Sequence, residues 1–139
     1  MGPILVSGTS GFIGGLLASR LGDMHIPFDP RKSLDFSFLP KEEISTIVHL
    51  GGPSNRVPGA EREIIDAAKK IFSGIQYYPW VDLIFSSSIR VFGQGGPISQ
   101  KDVPIPLFGY GRGKRAAEEI FHQLDDGRNI DIFRISNVQ

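Results

Sequence analysis

The sequence predicts an α/β domain: a doubly wound parallel sheet with helices on both faces, in three αβα layers. Two observations predict it. Short apolar runs alternate with segments whose apolar residues recur at helical spacing, which is the pattern of successive strand–helix–strand units. The residues at or just past the run ends, Gly8, Asp29, Gly51 and Ser88, are turn or polar residues. They fall on the strand-end edge where such sheets take ligands.

Residues 4–7 are a short apolar run that enters a glycine turn, and read as a buried strand. Residues 12–21 carry apolar side chains at 12, 13, 16, 17 and 21, a helical spacing, and Gly22 is the stop. A second strand, 25–28, ends in Asp29-Pro30, and 33–41 has no regular pattern. A third strand, 44–50, ends in Gly51-Gly52-Pro53; His49 within it reads as a packed core histidine. Residues 61–72 form a helix with Ile64, Ile65, Ala68, Ile71 and Phe72 on one side. Trp80 reads as packing, and 81–85 as a strand running into Ser86-Ser87-Ser88. A glycine- and proline-rich loop covers 91–106. A helix from Tyr110 or Gly111 to 124 presents Ala116, Ala117, Ile120, Phe121 and Leu124, and 130–135 is the last strand.

Composition narrows the function. With 139 residues, 40% apolar and 22% charged, the chain is sized and balanced for one globular domain, 1–139. Fifteen basic residues cancel fifteen acidic ones, which gives no electrostatic case for nucleic acid or a membrane surface. There is no cysteine, hence no disulfide or thiolate metal site, and the three histidines form no metal-ligand spacing. No apolar run approaches the roughly 20 residues of a membrane span. The start lacks the basic region of a signal peptide, so a cytoplasmic location is the default expectation.

Three motifs carry chemistry. Gly8-x-x-Gly11-x-x-Gly14 follows a strand and opens a helix. The first glycine permits a tight turn, the second lets backbone approach a pyrophosphate, and the third lets helix and strand pack closely. The alternative is an ordinary strand-to-helix turn. Asp29 follows 15 residues after Gly14, where a carboxylate can accept hydrogen bonds from ribose hydroxyls; it is also a turn former before Pro30. The neighbouring Arg31 and Lys32 could hold a 2′-phosphate instead, but Asp29 would repel it, so NAD is expected, with NADP the alternative. Finally, Tyr110 and Lys114 are four residues apart on one helix face, downstream of Ser88. A lysine ammonium one turn from a phenol can lower its pKa, and a serine hydroxyl can bond a substrate oxygen. Against this stands a surface tyrosine beside a solvated lysine.

Together these residues resemble the extended short-chain dehydrogenase/reductase family, the NAD-dependent epimerase/dehydratase group that modifies nucleotide sugars. Ser7-Gly8-Thr9-Ser10-Gly11-Phe12-Ile13-Gly14 is similar to its Thr-Gly-x-x-Gly-Phe-Ile-Gly fingerprint, and Ile47-Val48-His49-Leu50-Gly51-Gly52 to its second cofactor-touching strand. The segment from Phe85 to Gly93 resembles its Ser-Ser-x-x-Val-Tyr-Gly, and Arg134-Ile135-Ser136-Asn137-Val138 its Arg-x-x-Asn-Val. The resemblance implies an NAD(P)-binding Rossmann fold. It implies Ser88, Tyr110 and Lys114 as the catalytic residues. The cofactor would meet Gly8, Ser10, Gly11, Phe12, Ile13 and Gly14, then Asp29, Arg31 and Asp35, then Leu50, Gly51 and Gly52, and also Tyr110 and Lys114. Ser88 and Asn137 would meet a nucleotide-sugar substrate; Arg90 and Arg134 read as either substrate contacts or plain structural cations, Arg90 being the nearer to the site in sequence.

Two departures sharpen the expectation. The acidic pair of the family's 4,6-dehydratases is replaced by Ile89 and Arg90, which favours epimerase or reductase chemistry over dehydration. The chain also stops where the family's substrate domain begins, so it reads as truncated before that domain. A rival reading is therefore a module that binds cofactor without turnover. Helices 61–72 and 111–124 are candidates for a homodimer surface.

Overall fold

The computed structural model describes residues 2–32, 43–93, 96–124 and 126–136. Five strands make one sheet: β1 (Ile4–Ser7), β2 (His25–Phe28), β3 (Thr46–His49), β4 (Asp82–Ser88) and β5 (Ile130–Ile135). All neighbours pair in parallel, in the order β2-β1-β3-β4-β5. Helix α1 (Phe12–Leu21) follows β1, α2 (Ala60–Ile75) follows β3 and α3 (Gly109–His122) follows β4. The step from β1 to β2 runs one way across the sheet and the steps from β3 to β5 run the other. Right-handed crossovers then put α1 on one face and α2 and α3 on the opposite one. The reversal between β1 and β3 opens a crevice at their carboxyl ends.

The larger core lies under α2 and α3. Leu5, Ile47, Leu83 and Phe85 from the sheet meet Ile64, Ala68 and Ile71 of α2 and Ala117 and Phe121 of α3. Val6 and Val48 alternate with these residues and are also buried, so the strands are apolar on both faces. His49 belongs to this core, stacked on Phe85 with ring centroids 5.4 Å apart. The outer sides of α2 and α3 are polar, exposing Arg62, Asp66, Lys69 and Lys70, and Arg112, Glu119 and His122.

Besides shifts of one or two residues at the ends of β3 and α3, four elements differ from the sequence expectation. Helix α2 continues one turn past residue 72, and Arg128, its side chain fully buried, caps it by donating to the Ile75 carbonyl at 2.9 Å. Strand β4 takes in all three serines because β5 pairs beside them to Ser88↔Ile135 and each hydroxyl finds a partner. The following loop opens with a 3₁₀ turn, Ile89–Phe92, capped by Ser88, whose Oγ accepts from the Arg90 N–H at 3.1 Å. The predicted apolar set of α1 divides, with Leu17 and Leu21 part-buried and Phe12, Ile13 and Leu16 exposed. Phe12 and Leu16 are 66% and 55% exposed, because the helix touches the sheet through Gly14, with Leu17, Ala18 and Leu21 part-buried beside it. Trp80 is also half exposed, meeting Tyr78 edge-on at 5.5 Å.

Candidate active site

The crevice is built by two turns in contact. Gly8 ends β1 with φ +76°, a left-handed conformation that favours glycine, and a Cβ on it would lie 2.6 Å from the Gly51 nitrogen. Ser7 ties the same turns together: its hydroxyl accepts from the N–H groups of Leu50 (3.1 Å) and Gly51 (3.0 Å). With both lone pairs used, its proton goes to His49 Nδ1, 2.6 Å away. His49 is thereby a neutral acceptor at Nδ1. Burial, reinforced by the charge of Lys114, pushes its pKa down to about 3.

Helix α1 starts from this junction. Its N-cap, Gly11, offers no side-chain cap, and Gly14 lies so close to the Gly8 carbonyl that a Cβ would sit 2.0 Å from that oxygen. The helix start therefore faces the crevice with bare backbone, a setting that suits an anion.

Two clefts meet at Leu50, Gly51, Gly52 and Pro53. One, of about 740 Å³, is walled by Gly8, Thr9, Ser10, Gly11, Asp29, Arg31 and Lys32. The other, of about 400 Å³, is walled by Ile13, Ser86, Ser88, Arg90, Tyr110 and Lys114. A third, also about 400 Å³, shares Asn55, Arg90 and Tyr110 with the second and adds Val57, Glu61 and Phe108. The groove thus runs from the glycine turn to the tyrosine, with Gly8, Gly11, Gly51 and Gly52 along its floor. This shape and backbone lining fit an extended dinucleotide. Phe12 lines none of these clefts, and Gly14 supports the turn from behind.

Two helix glycines set the tyrosine in place. A Cβ on Gly111 would lie 2.5 Å from the Arg90 carbonyl oxygen, and one on Gly113 would lie 3.0 Å from Glu61 Cα. Helix α3 is therefore pressed against both the 3₁₀ turn and α2, which brings Tyr110 to Ser88 and Arg90. Lys114 is 4% exposed; its Nζ donates to the Ser86 carbonyl at 3.0 Å and lies 5.7 Å from the Tyr110 ring centroid. Burial lowers the Lys114 pKa to about 8. The expected depression of the tyrosine is not what results. Burial raises the Tyr110 pKa, while the Arg90 guanidinium and the Ser88 hydroxyl oppose the rise. The cation acting on the phenol in this arrangement is Arg90, because the Lys114 ammonium is turned to Ser86.

At the other end, Asp29 and Arg31 engage each other. Arg31 Nε and Nη2 donate to Asp29 Oδ1 (2.9 Å) and Oδ2 (2.8 Å), and the Arg31 N–H adds a third bond. These bonds hold the Asp29 carboxyl at about 2. The expected ribose acceptor and the expected phosphate donor are thus one ion pair. Asp35 and Asn137 lie outside the described residues.

Sequence reasoning missed Glu118. It is fully buried and accepts from Ser87 Oγ (2.6 Å), Arg134 Nε and Nη2 (3.0 and 2.9 Å) and Arg115 Nη1 (3.0 Å). Burial pushes its carboxyl up, but these bonds outweigh that and leave it lowered. Glu118 lies one turn beyond Lys114 and fixes α3 to the serine end of β4 and to β5. An acid four residues after Lys114, with arginines at 115 and 134, was the available signal. Arg134, read from sequence as either a substrate contact or a structural cation, is structural here.

The sequence matches no protein-family model and no curated protein. Solved structures do match. UDP-glucuronic acid 4-epimerase from Bacillus cereus in complex with NAD superposes with a TM-score of 0.81 at 20% identity, over 97% of this chain and 57% of that one. MoeE5 in complex with UDP-glucose and NAD gives 0.76 at 25% identity, over 94% and 52%. RMD from Pseudomonas aeruginosa complexed with NADPH gives 0.78 at 21%, over 99% and 54%. A short-chain dehydrogenase/reductase superfamily protein with bound NAD gives 0.77 at 23%. The chain shares the Rossmann-like α/β fold of these structures. It spans about half the length of the structures it matches.

Proposed function

We propose that this chain is the cofactor-binding and catalytic part of an NAD-dependent nucleotide-sugar epimerase or reductase. The observation that carries this is a single groove with the glycine turn at one end and Ser88, Tyr110 and Lys114 at the other. A nicotinamide bound at the tyrosine end would supply hydride acceptance and return. The chain's own work is on the proton. As a phenolate, Tyr110 takes the proton of a sugar carbinol while the adjacent C–H leaves as hydride, and it returns the proton when the resulting ketone is reduced. Ser88 bonds the reacting oxygen, and Lys114 holds the cofactor ribose. Ile89 and Arg90, in place of an acidic pair, favour epimerisation or reduction over dehydration. Asp29 favours NAD over NADP. A second copy pairing along α2 and α3 completes the proposal for partners, and sizing chromatography tests it.

A second reading is a module that binds NAD without turnover. It is favoured by the Lys114 ammonium, which donates to the Ser86 carbonyl at 3.0 Å, and by the burial that raises the Tyr110 pKa. Calorimetry with NAD and NADP, with reduced-nicotinamide absorbance in the presence of UDP-glucose and UDP-glucuronate, separates the two. Turnover that disappears in Tyr110→Phe while NAD binding persists supports the enzyme. Binding without turnover supports the module, and turnover retained in Tyr110→Phe removes that residue from the proton step.

A further inference from the structure

We propose that Arg90 makes this site selective for a nucleotide sugar whose ring carries a carboxylate. The inference rests on the nucleotide-sugar reading above and adds the charge of the sugar to it. Among the described residues, Arg31, Arg62, Arg112, Arg115, Arg128 and Arg134 each lie against a carboxylate, while Arg20 and Arg56 do not and line none of the three clefts. Arg90 has no carboxylate partner among them, although it stands exposed where the second and third clefts join.

Its backbone is fixed. The N–H is bonded to Ser88 Oγ at 3.1 Å, the carbonyl accepts from the Gly93 N–H at 3.2 Å, and Gly111 packs directly against that carbonyl. The guanidinium therefore projects from a rigid turn beside Tyr110. The acid that shares the third cleft, Glu61, is neutralised: Arg112 Nε and Nη2 hold its two carboxylate oxygens, each at 3.0 Å. Among the described residues, Arg90 is thus the one basic side chain lining the third cleft without a carboxylate against it, in a fork that matches a carboxylate.

A UDP-sugar carries a diphosphate whatever its sugar, so the position of the second anion decides the class. When the hydroxyl that meets the phenol is at C4, the diphosphate on C1 hangs across the ring. A C6 carboxylate is attached at C5, next to the reacting carbon. An arginine adjoining the phenol therefore reads the carboxylate rather than the diphosphate.

The test is calorimetry of UDP-glucuronate and UDP-glucose binding to the NAD-saturated chain, as wild type, Arg90→Gln and Arg90→Lys. The wild type is expected to prefer UDP-glucuronate by about tenfold, the scale of one charge-assisted contact. Arg90→Gln should abolish that preference by weakening UDP-glucuronate about tenfold more than UDP-glucose, and Arg90→Lys should retain part of it. Equal losses for both ligands in Arg90→Gln would assign the arginine to the diphosphate and overturn the proposal. So would a preference that survives Arg90→Gln, or a wild type with no preference, and in those cases the nucleotide-sugar reading still stands. If the wild type binds neither ligand, that reading fails and the selectivity falls with it.

Discussion

Adjacent glycines in α1 should respond oppositely to the same substitution. Alanine at Gly14 would place Cβ 2.0 Å from the Gly8 oxygen and 2.6 Å from its carbonyl carbon. A relaxed carbon–oxygen contact needs roughly 3.3 Å, so backbone must move by about 1 Å. Such overpacking costs about 1–3 kcal/mol, at the upper end here because both colliding atoms are main chain. Alanine at Gly15 meets only the Thr9 oxygen, at 3.3 Å. There the gain in helix propensity, up to about 1 kcal/mol, roughly decides the sign. The two variants should differ by about 2–3 kcal/mol, or roughly 10 °C in melting temperature for a chain of this size. Thermal melts followed by circular dichroism, with urea titrations, measure the difference. Melting temperatures within about 2 °C of each other would refute the claim that Gly14 is the contact point between α1 and the β1 turn.

Glu118→Ala strips Arg134 and the buried Ser87 hydroxyl of their acceptor and leaves Arg115 only Glu119, so urea unfolding should show a loss of about 3 kcal/mol; a loss under about 1 kcal/mol would mean the cluster does not hold α3. His49 has a folded pKa of about 3 against an ordinary value near 6.5, so between those values the unfolded chain binds a proton that the folded chain refuses. Stability should therefore fall from about pH 6.5 downward, by up to about 3 kcal/mol at pH 4, and His49→Phe should flatten that limb. Lys114 has the same sign in the alkaline range: its folded value near 8 lies below the ordinary 10.5, so its cost is full below pH 8 and is relieved as pH rises toward 10.5. Arg31→Ala releases both Asp29 oxygens, so calorimetry should show NADP weakened relative to NAD by about tenfold, and an unchanged ratio would remove Arg31 from cofactor discrimination.

Much of the fold was legible because local and long-range signals agree. The apolar runs at 4–7 and 130–135 match β1 and β5 residue for residue, and the spacing of Ile64, Ala68 and Ile71 defines the buried side of α2. The serines of β4 were harder to place, since hydroxyls at a strand end read as a cap. Only the pairing with β5, and Glu118 brought over by α3, show where they go. The outward turn of Phe12 and Leu16 was hidden because spacing gives a periodicity but not which side touches the sheet. Gly14 settles that through a contact with Gly8 that no pattern displays. In the candidate site, the grouping of Ser88, Tyr110 and Lys114 around one cleft was legible from order and spacing. The pairing of Asp29 with Arg31 and the orientation of Lys114 toward Ser86 depend on side-chain geometry, which spacing does not encode.

The central claim is that the glycine turn and the Tyr110 end of the groove hold one dinucleotide. The most direct measurement is calorimetric titration of the folded chain with NAD, alongside Gly14→Ala and Tyr110→Phe. The claim predicts one NAD per chain, bound clearly more weakly by Gly14→Ala and still bound by Tyr110→Phe. A folded wild-type chain that takes up neither NAD nor NADP would contradict it.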